Sequence, residues 1–191
     1  PAALPIFMKG GILLGLRYQS SRFTEDIDFS TSMRYADIDE AHFRQELEEA
    51  LQIASDELPY QVICGVQKLA IQPKDVENAT FPSFKLTIGY ARRTHEAEMN
   101  RFKNRQSPNT VKVDYSFNEH SHTIDHIALT DEEEIEAYSF TGLVAEKIRS
   151  VIQQVARNRA RRQDVYDTTL LLKTITPDDK DKLTIFTTLL D

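Results

Sequence analysis

The sequence is poor in cysteine and in long apolar runs, and each shortage excludes a class of protein. Cys64 is the single cysteine among 191 residues. It cannot close an internal disulfide, and alone it indicates neither a zinc site nor a redox site. A reducing cytosol fits this usage. No apolar stretch approaches the roughly 18 residues that a membrane span needs, and no signal peptide is recognisable. A cytoplasmic protein with no membrane partner is therefore expected. Internal repeats and low-complexity segments are also lacking. So is an excess of positive charge: the net charge of −7 argues against nonspecific DNA binding driven by the whole surface. With 40% hydrophobic and 28% charged residues, the chain suits a soluble globular fold of one large or two small domains. Both ends look cut from a longer protein, since Asp191 directly follows the apolar stretch 185–190.

Two kinds of periodicity organise what is present. Period-two alternation with β-branched and aromatic residues predicts strands over 60–71, 84–91 and 110–117, and shorter strands over 4–9 and 24–30. The 3.6-residue period predicts helices over 12–19, 37–55, 140–156 and 164–174. Asp37 with Glu40 would cap the helix at 37–55, and its acidic residues would form a solvated face. Residues 92–109 read as a loop or short exposed helix. Asp131–Ala137 reads as the first turns of a helix capped by Thr130, and Thr176-Pro177 as the start of a last helix. Strands mixed with helices give way to helices alone near 120–130. This predicts an α+β fold with a mixed β-sheet flanked by helices (1–125), followed by a helical C-terminal domain (126–191).

The chemistry concentrates in Arg22-Phe-Thr-Glu-Asp-Ile-Asp-Phe29. On a strand, Asp26 and Asp28 share one face about 7 Å apart and can hold a hard divalent cation such as Mg²⁺. Ile27 and Phe29 then face a core. Upstream, Gly10-Gly11 opens an apolar helix, where backbone N–H groups and the helix dipole favour a phosphate; a glycine turn serving backbone geometry alone is the plainer reading. Lys9 beside it would touch phosphate or simply be exposed. Asp114 lies in a matching frame in 112–117. If strands 24–30 and 110–117 are neighbours, Asp26, Asp28 and Asp114 converge and suit a metal-assisted transfer from a nucleoside triphosphate, with one carboxylate as general base. His120, His122, Asp125 and His126 read as a solvated loop rather than a zinc site.

Taken together, the glycine pair, the following helix and the stretch 22–29 resemble the opening of the AbiEii-type nucleotidyltransferase toxins, in the polymerase-beta-like superfamily. Glu146-Lys-Ile-Arg149 followed by Arg159-Ala-Arg-Arg-Gln-Asp-Val-Tyr-Asp167 resembles that family's later motif. The resemblance implies that Gly10 and Gly11 bind the triphosphate, that Asp26 and Asp28 bind Mg²⁺, and that Asp114 is the third carboxylate. It implies that Lys147 contacts the phosphates, that Asp164 lies at the nucleotide or acceptor side, and that Asp167 supports it one turn on. The C-terminal helices would then close over the nucleotide. Ile12 stands where the family has Ser or Thr. The residues themselves also allow plainer roles: Asp164 as a helix cap, Arg161 and Arg162 as partners of the aspartates, and Lys147 reaching out to solvent. The implied role is a nucleotidyltransferase toxin of a bacterial toxin–antitoxin or phage-defence system. Its partners would be a cognate antitoxin and an RNA acceptor such as tRNA, held by the arginines of 92–105 and 157–162. The rivals are a catalytically weak or inactive module that binds nucleotide or a partner, and an enzyme whose acceptor is a protein side chain or small molecule.

Overall fold

Both periodicities become elements in the computed structural model, which describes residues 5–119, 123–131, 133–156, 158 and 160–190. In chain order the first elements are β1 (Phe7–Lys9), α1 (Gly10–Tyr18), β2 (Asp26–Ser30), α2 (Glu40–Glu57), β3 (Val62–Gln72), β4 (Ser83–Arg92) and α3 (Glu96–Lys103). They continue as β5 (Thr110–Ser116), β6 (Ile124–Ala128), β7 (Glu134–Tyr138), α4 (Phe140–Gln153), α5 (Arg162–Thr174) and α6 (Asp179–Leu190). The chain groups into two units: Glu25–Glu119, and the segments before and after it. Composition alone divided the chain at 125; here the residues before Glu25 group with the C-terminal segment.

The unit Glu25–Glu119 is built on mixed strand pairing. β3 and β4 run antiparallel, with a register shift between Val66 and Lys68. β4 and β5 are also antiparallel, and β5 pairs β2 in parallel. Side chains alternate between faces, so the apolar face collects Phe84, Tyr115 and the adjoining Phe117. Phe43 from α2 and Tyr35 complete an aromatic cluster. Phe84 lies 4.9 Å from both Phe43 and Phe117, centroid to centroid, and 5.9 Å from Tyr35. Tyr115 lies 4.9 Å from Phe117 and 5.5 Å from Phe43. Most of these contacts are edge-on or tilted, the arrangements that ring quadrupoles favour.

The flanking unit pairs β1 with β7 in parallel and β7 with β6 antiparallel, and carries α1, α4, α5 and α6. Its core includes the fully buried Leu13, Leu14, Leu143 and Leu171. Arg149 donates to the Thr188 carbonyl, tying α4 to α6.

The α+β class with mixed pairing and flanking helices agrees with the sequence reading, but four local expectations are corrected. Asp131–Ala137 is not a helix start. Thr130 Oγ1 accepts from Glu133 N at 3.1 Å, closing a hairpin turn, and β7 follows, paired Ile135↔Ile127 and Ala137↔Asp125. Cross-strand pairing outweighs the weak helix preference of the glutamates. The C-terminal part is accordingly not helical throughout. Asp39, rather than Asp37, caps α2 by accepting from Ala41 N and His42 N at 2.9 and 3.1 Å. Asp37 ends a separate 3₁₀ turn, where Arg34 pairs with it. Asp178, rather than Thr176, caps α6, accepting from Asp181 N at 2.7 Å.

The aromatic cluster gives the first expected outcome. Phe84 is fully buried at its centre, so Phe84→Ala should lower stability by about 3–5 kcal/mol, read as a lower urea midpoint at unchanged slope.

Candidate active site

The glycine turn follows from two separate backbone demands. Lys9 ends β1 in extended backbone and Gly10 takes φ 72°, a left-handed conformation that suits glycine. The demand on Gly11 is one of space. A Cβ there would stand 2.8 Å from Thr24 Oγ1 and 2.9 Å from Arg22 Nη2. Leu13 and Leu14 anchor the next turn in the core. Lys9 is neither exposed nor a solvent-facing cation. It is buried, with its ammonium 5.8 Å from the centre of the Tyr138 ring. Ile12 is half-buried.

A charge cluster fills the interior of the same unit. Asp164 lies in the first turn of α5 and Asp167 one turn later on the same side. Asp167 is completely buried and accepts two hydrogen bonds from Arg22, Nε to Oδ1 at 3.0 Å and Nη2 to Oδ2 at 3.1 Å. Lys147, on the buried side of α4, lies 3.2 Å from Asp164 Oδ1 and 3.3 Å from Asp167 Oδ2. Arg161 adds a looser contact to Asp164 at 3.7 Å. Lys147 therefore turns inward and does not reach for solvent. Burial disfavours its charge, but Glu146, Asp164 and Asp167 outweigh that and hold its ammonium above the usual lysine value. One Glu146 carboxylate oxygen is buried with no hydrogen-bond partner among the described residues.

The unit Glu25–Glu119 carries the acidic strand. Parallel pairing of β2 and β5 sets Asp28 opposite Asp114 and Asp26 opposite Lys112. Register partners share a face, as do residues two apart, so Asp26, Asp28 and Asp114 lie on one sheet face. Phe29 and Tyr115 are partners on the other face, where Tyr115 joins the aromatic core. Asp26 is exposed; Asp28 and Asp114 are half-buried. Lys85 on β4 is also in register with Asp114 and forms an ion pair with it. Among the described residues, no three His, Cys, Asp or Glu side chains gather closely enough to hold a metal ion. Two carboxylates on one strand face remain a fitting oxygen donor set for a hard divalent cation, with the charge of Asp114 met by Lys85.

Sequence reasoning missed Arg22 and Lys85 as members of these clusters. Lys85 was findable, because it falls on the polar side of a predicted strand. Arg22 left no local signal, since its partner lies 145 residues away. The basic segment is largely neutralised from within: Arg92 pairs with Glu98, Arg93 with Asp56, and Arg105 with Glu48 at 3.8 Å. Arg92 holds the Glu98 carboxyl down at about 2. Arg157, Arg159, His120 and His122 lie outside the described residues. Asp125 and His126 sit on β6 rather than in a loop.

Two outcomes are expected. Asp167→Ala would leave Arg22 and Lys147 without their shared anion and should cost about 3–5 kcal/mol in thermal unfolding. The raised Lys147 value makes its charge a stabilising contribution fully present below 10.5, its ordinary value. That contribution is lost as pH rises through the folded value, so an alkaline unfolding titration should reach further in the wild type than in Lys147→Met.

The family model described as nucleotidyl transferase AbiEii toxin, type IV toxin–antitoxin system, matches residues 1–190. No curated protein sequence matches the chain. Among solved structures, an antigenic nucleotidyltransferase-like protein from Paracoccidioides brasiliensis is similar at TM-score 0.45 and 14% identity, over 97% of this chain and 77% of that one. JHP933 from Helicobacter pylori is similar at TM-score 0.49 and 13% identity, over 90% of this chain and 60% of that one. With the match running from the first residue to the last but one, the chain belongs to the AbiEii nucleotidyltransferase toxin family of type IV toxin–antitoxin systems.

Proposed function

We propose that this nucleotidyltransferase moves a nucleoside monophosphate from a nucleoside triphosphate to an acceptor hydroxyl and releases pyrophosphate. The observation that carries the reading is the register of β2 with β5, which brings Asp26, Asp28 and Asp114 onto one sheet face. Asp26 and Asp28 would hold Mg²⁺, which when bound neutralises charge developing on the phosphates. Asp114 accepts the proton of the acceptor hydroxyl, with Lys85 paired beside it. The hydroxyl oxygen bonds to the α-phosphorus as the bond to the pyrophosphate oxygen breaks. The N–H groups of the glycine turn at Gly10 and Gly11 receive triphosphate oxygens. Lys147 contributes its ammonium to the phosphates, with Asp164 beside it. Asp167, being wholly buried, acts through Lys147 and does not touch the nucleotide itself.

The biological reading is that of a toxin restrained by a cognate antitoxin in the bacterial cytoplasm, in a type IV system or phage defence. Among the described residues no helix is long and apolar enough to cross a membrane. A tRNA acceptor would be held through Arg101, Lys103 and Arg162 rather than through the arginines already paired within the fold. Two observations favour rivals. Ile12 offers no hydroxyl to phosphate and Lys85 occupies Asp114, which suits a weakly catalytic module that binds nucleotide or a partner. The internal pairing of Arg92, Arg93 and Arg105 suits a protein side chain or small molecule as acceptor.

The experiment supplies Mg²⁺, each of the four α-labelled nucleoside triphosphates in turn, and a tRNA pool. One nucleotide should label the tRNA, and Asp28→Ala should cut the rate at least about a hundredfold with folding intact. Label appearing in protein or small-molecule fractions instead would reassign the acceptor. Nucleotide binding with no labelled product would leave the binding module as the function.

A further inference from the structure

We propose that Arg22 is a positioning residue for nucleotide binding, whose guanidinium joins the glycine turn opening α1 to Lys147 through their shared partner Asp167. The inference rests on the nucleotidyl-transfer reading above. Two contacts carry it, and Nη2 takes part in both. It lies so near Gly11 that a Cβ there would stand 2.9 Å away. Together with Nε it grips both oxygens of Asp167, at 3.0 and 3.1 Å. Asp167 Oδ2 is the same oxygen that lies 3.3 Å from Lys147 Nζ. One carboxylate thus divides its charge between two cations.

That division matters for Lys147. Without Arg22, the whole charge of Asp167 would fall on Lys147, with Asp164 and Glu146 already close to it. The ammonium would be drawn further into the protein and away from any phosphate. With Arg22 present, Asp167 is satisfied by a two-pronged donor and Lys147 is shared rather than captured. A lysine at position 22 could not do this, because it lacks the fork that spans both oxygens. The bare Gly11 then has a second purpose beyond phosphate contact: it makes room for the arginine that reaches Asp167.

A purely structural role is the competing explanation, since Arg22 neutralises a buried carboxylate. Two variants separate the explanations. Arg22→Lys keeps the charge but loses the fork. The double variant Arg22→Met with Asp167→Leu removes the buried pair as a unit, an exchange that usually leaves stability intact. Each is measured for melting temperature, for nucleoside triphosphate affinity without turnover, and for KM and kcat in the labelling reaction. Arg22→Lys should weaken nucleotide affinity and raise KM about fivefold or more, with a smaller change in kcat. The double variant should melt near the wild type yet keep a KM raised about tenfold. Recovery of both melting temperature and KM in the double variant would overturn the proposal, and so would a KM within about twofold of wild type in Arg22→Lys. The wild type run alongside keeps the two readings apart. If it neither binds nor transfers nucleotide, the transferase reading fails; if it does both and the variants match it, only the role of Arg22 fails.

Discussion

A carboxylate taken wholly out of water is costly unless cations and donors surround it. Asp167 is in that position, and its needs dictate much of the flanking unit. Arg22 must arrive from the segment after α1, Lys147 from α4, and Asp167 itself from α5. Three stretches far apart in the chain are held to one oxygen pair. The glycine turn belongs to the same arrangement, because only a residue without a side chain at position 11 lets the guanidinium pass. Motifs that look independent in the sequence are parts of one electrostatic unit.

The acidic sheet face in Glu25–Glu119 is organised by hydrogen bonding between backbones instead. Parallel pairing puts Asp28 against Asp114 whatever the side chains prefer, and the apolar partners Phe29 and Tyr115 fix which face is wet. A slip of one residue would turn the aspartates into the aromatic core. Lys85 relieves the repulsion that such a gathering creates. The two units therefore handle crowded carboxylates differently: one pins them in the interior with a cation fork, the other spreads them over one face of paired strands.

Much of this was legible in the residues. The alternation of 110–117 and 24–30 set Asp114 beside Asp26 and Asp28 only on the condition that the two strands were neighbours, and the parallel pairing of β2 with β5 meets that condition. The helices at 140–156 and 164–174 were equally plain. What escaped was of two kinds. Acid-rich segments gave wrong local readings at Asp131–Ala137, Asp37 and Thr176, because glutamate and aspartate serve turns, caps and exposed strands alike, and tertiary pairing decides. Long-range ion pairs escaped because nothing in the neighbourhood of Arg22 or Lys85 names the partner. The arginines of 92–105 were misleading for the same reason: a run of positive charge looks available until Asp56, Glu48 and Glu98 are seen beside it.

The fork between Arg22 and Asp167 also bears on how this sequence can change over generations. Loss of either member alone strands a charge in the interior, whereas loss of both at once leaves an apolar contact that the core can absorb. Single-step drift at either site is therefore blocked, and the two positions, 145 residues apart, form one heritable character. Across descendants of this chain they should be exchanged as a pair or retained as a pair, while Gly11 stays bare in either case, because Thr24 Oγ1 would also stand 2.8 Å from a Cβ there.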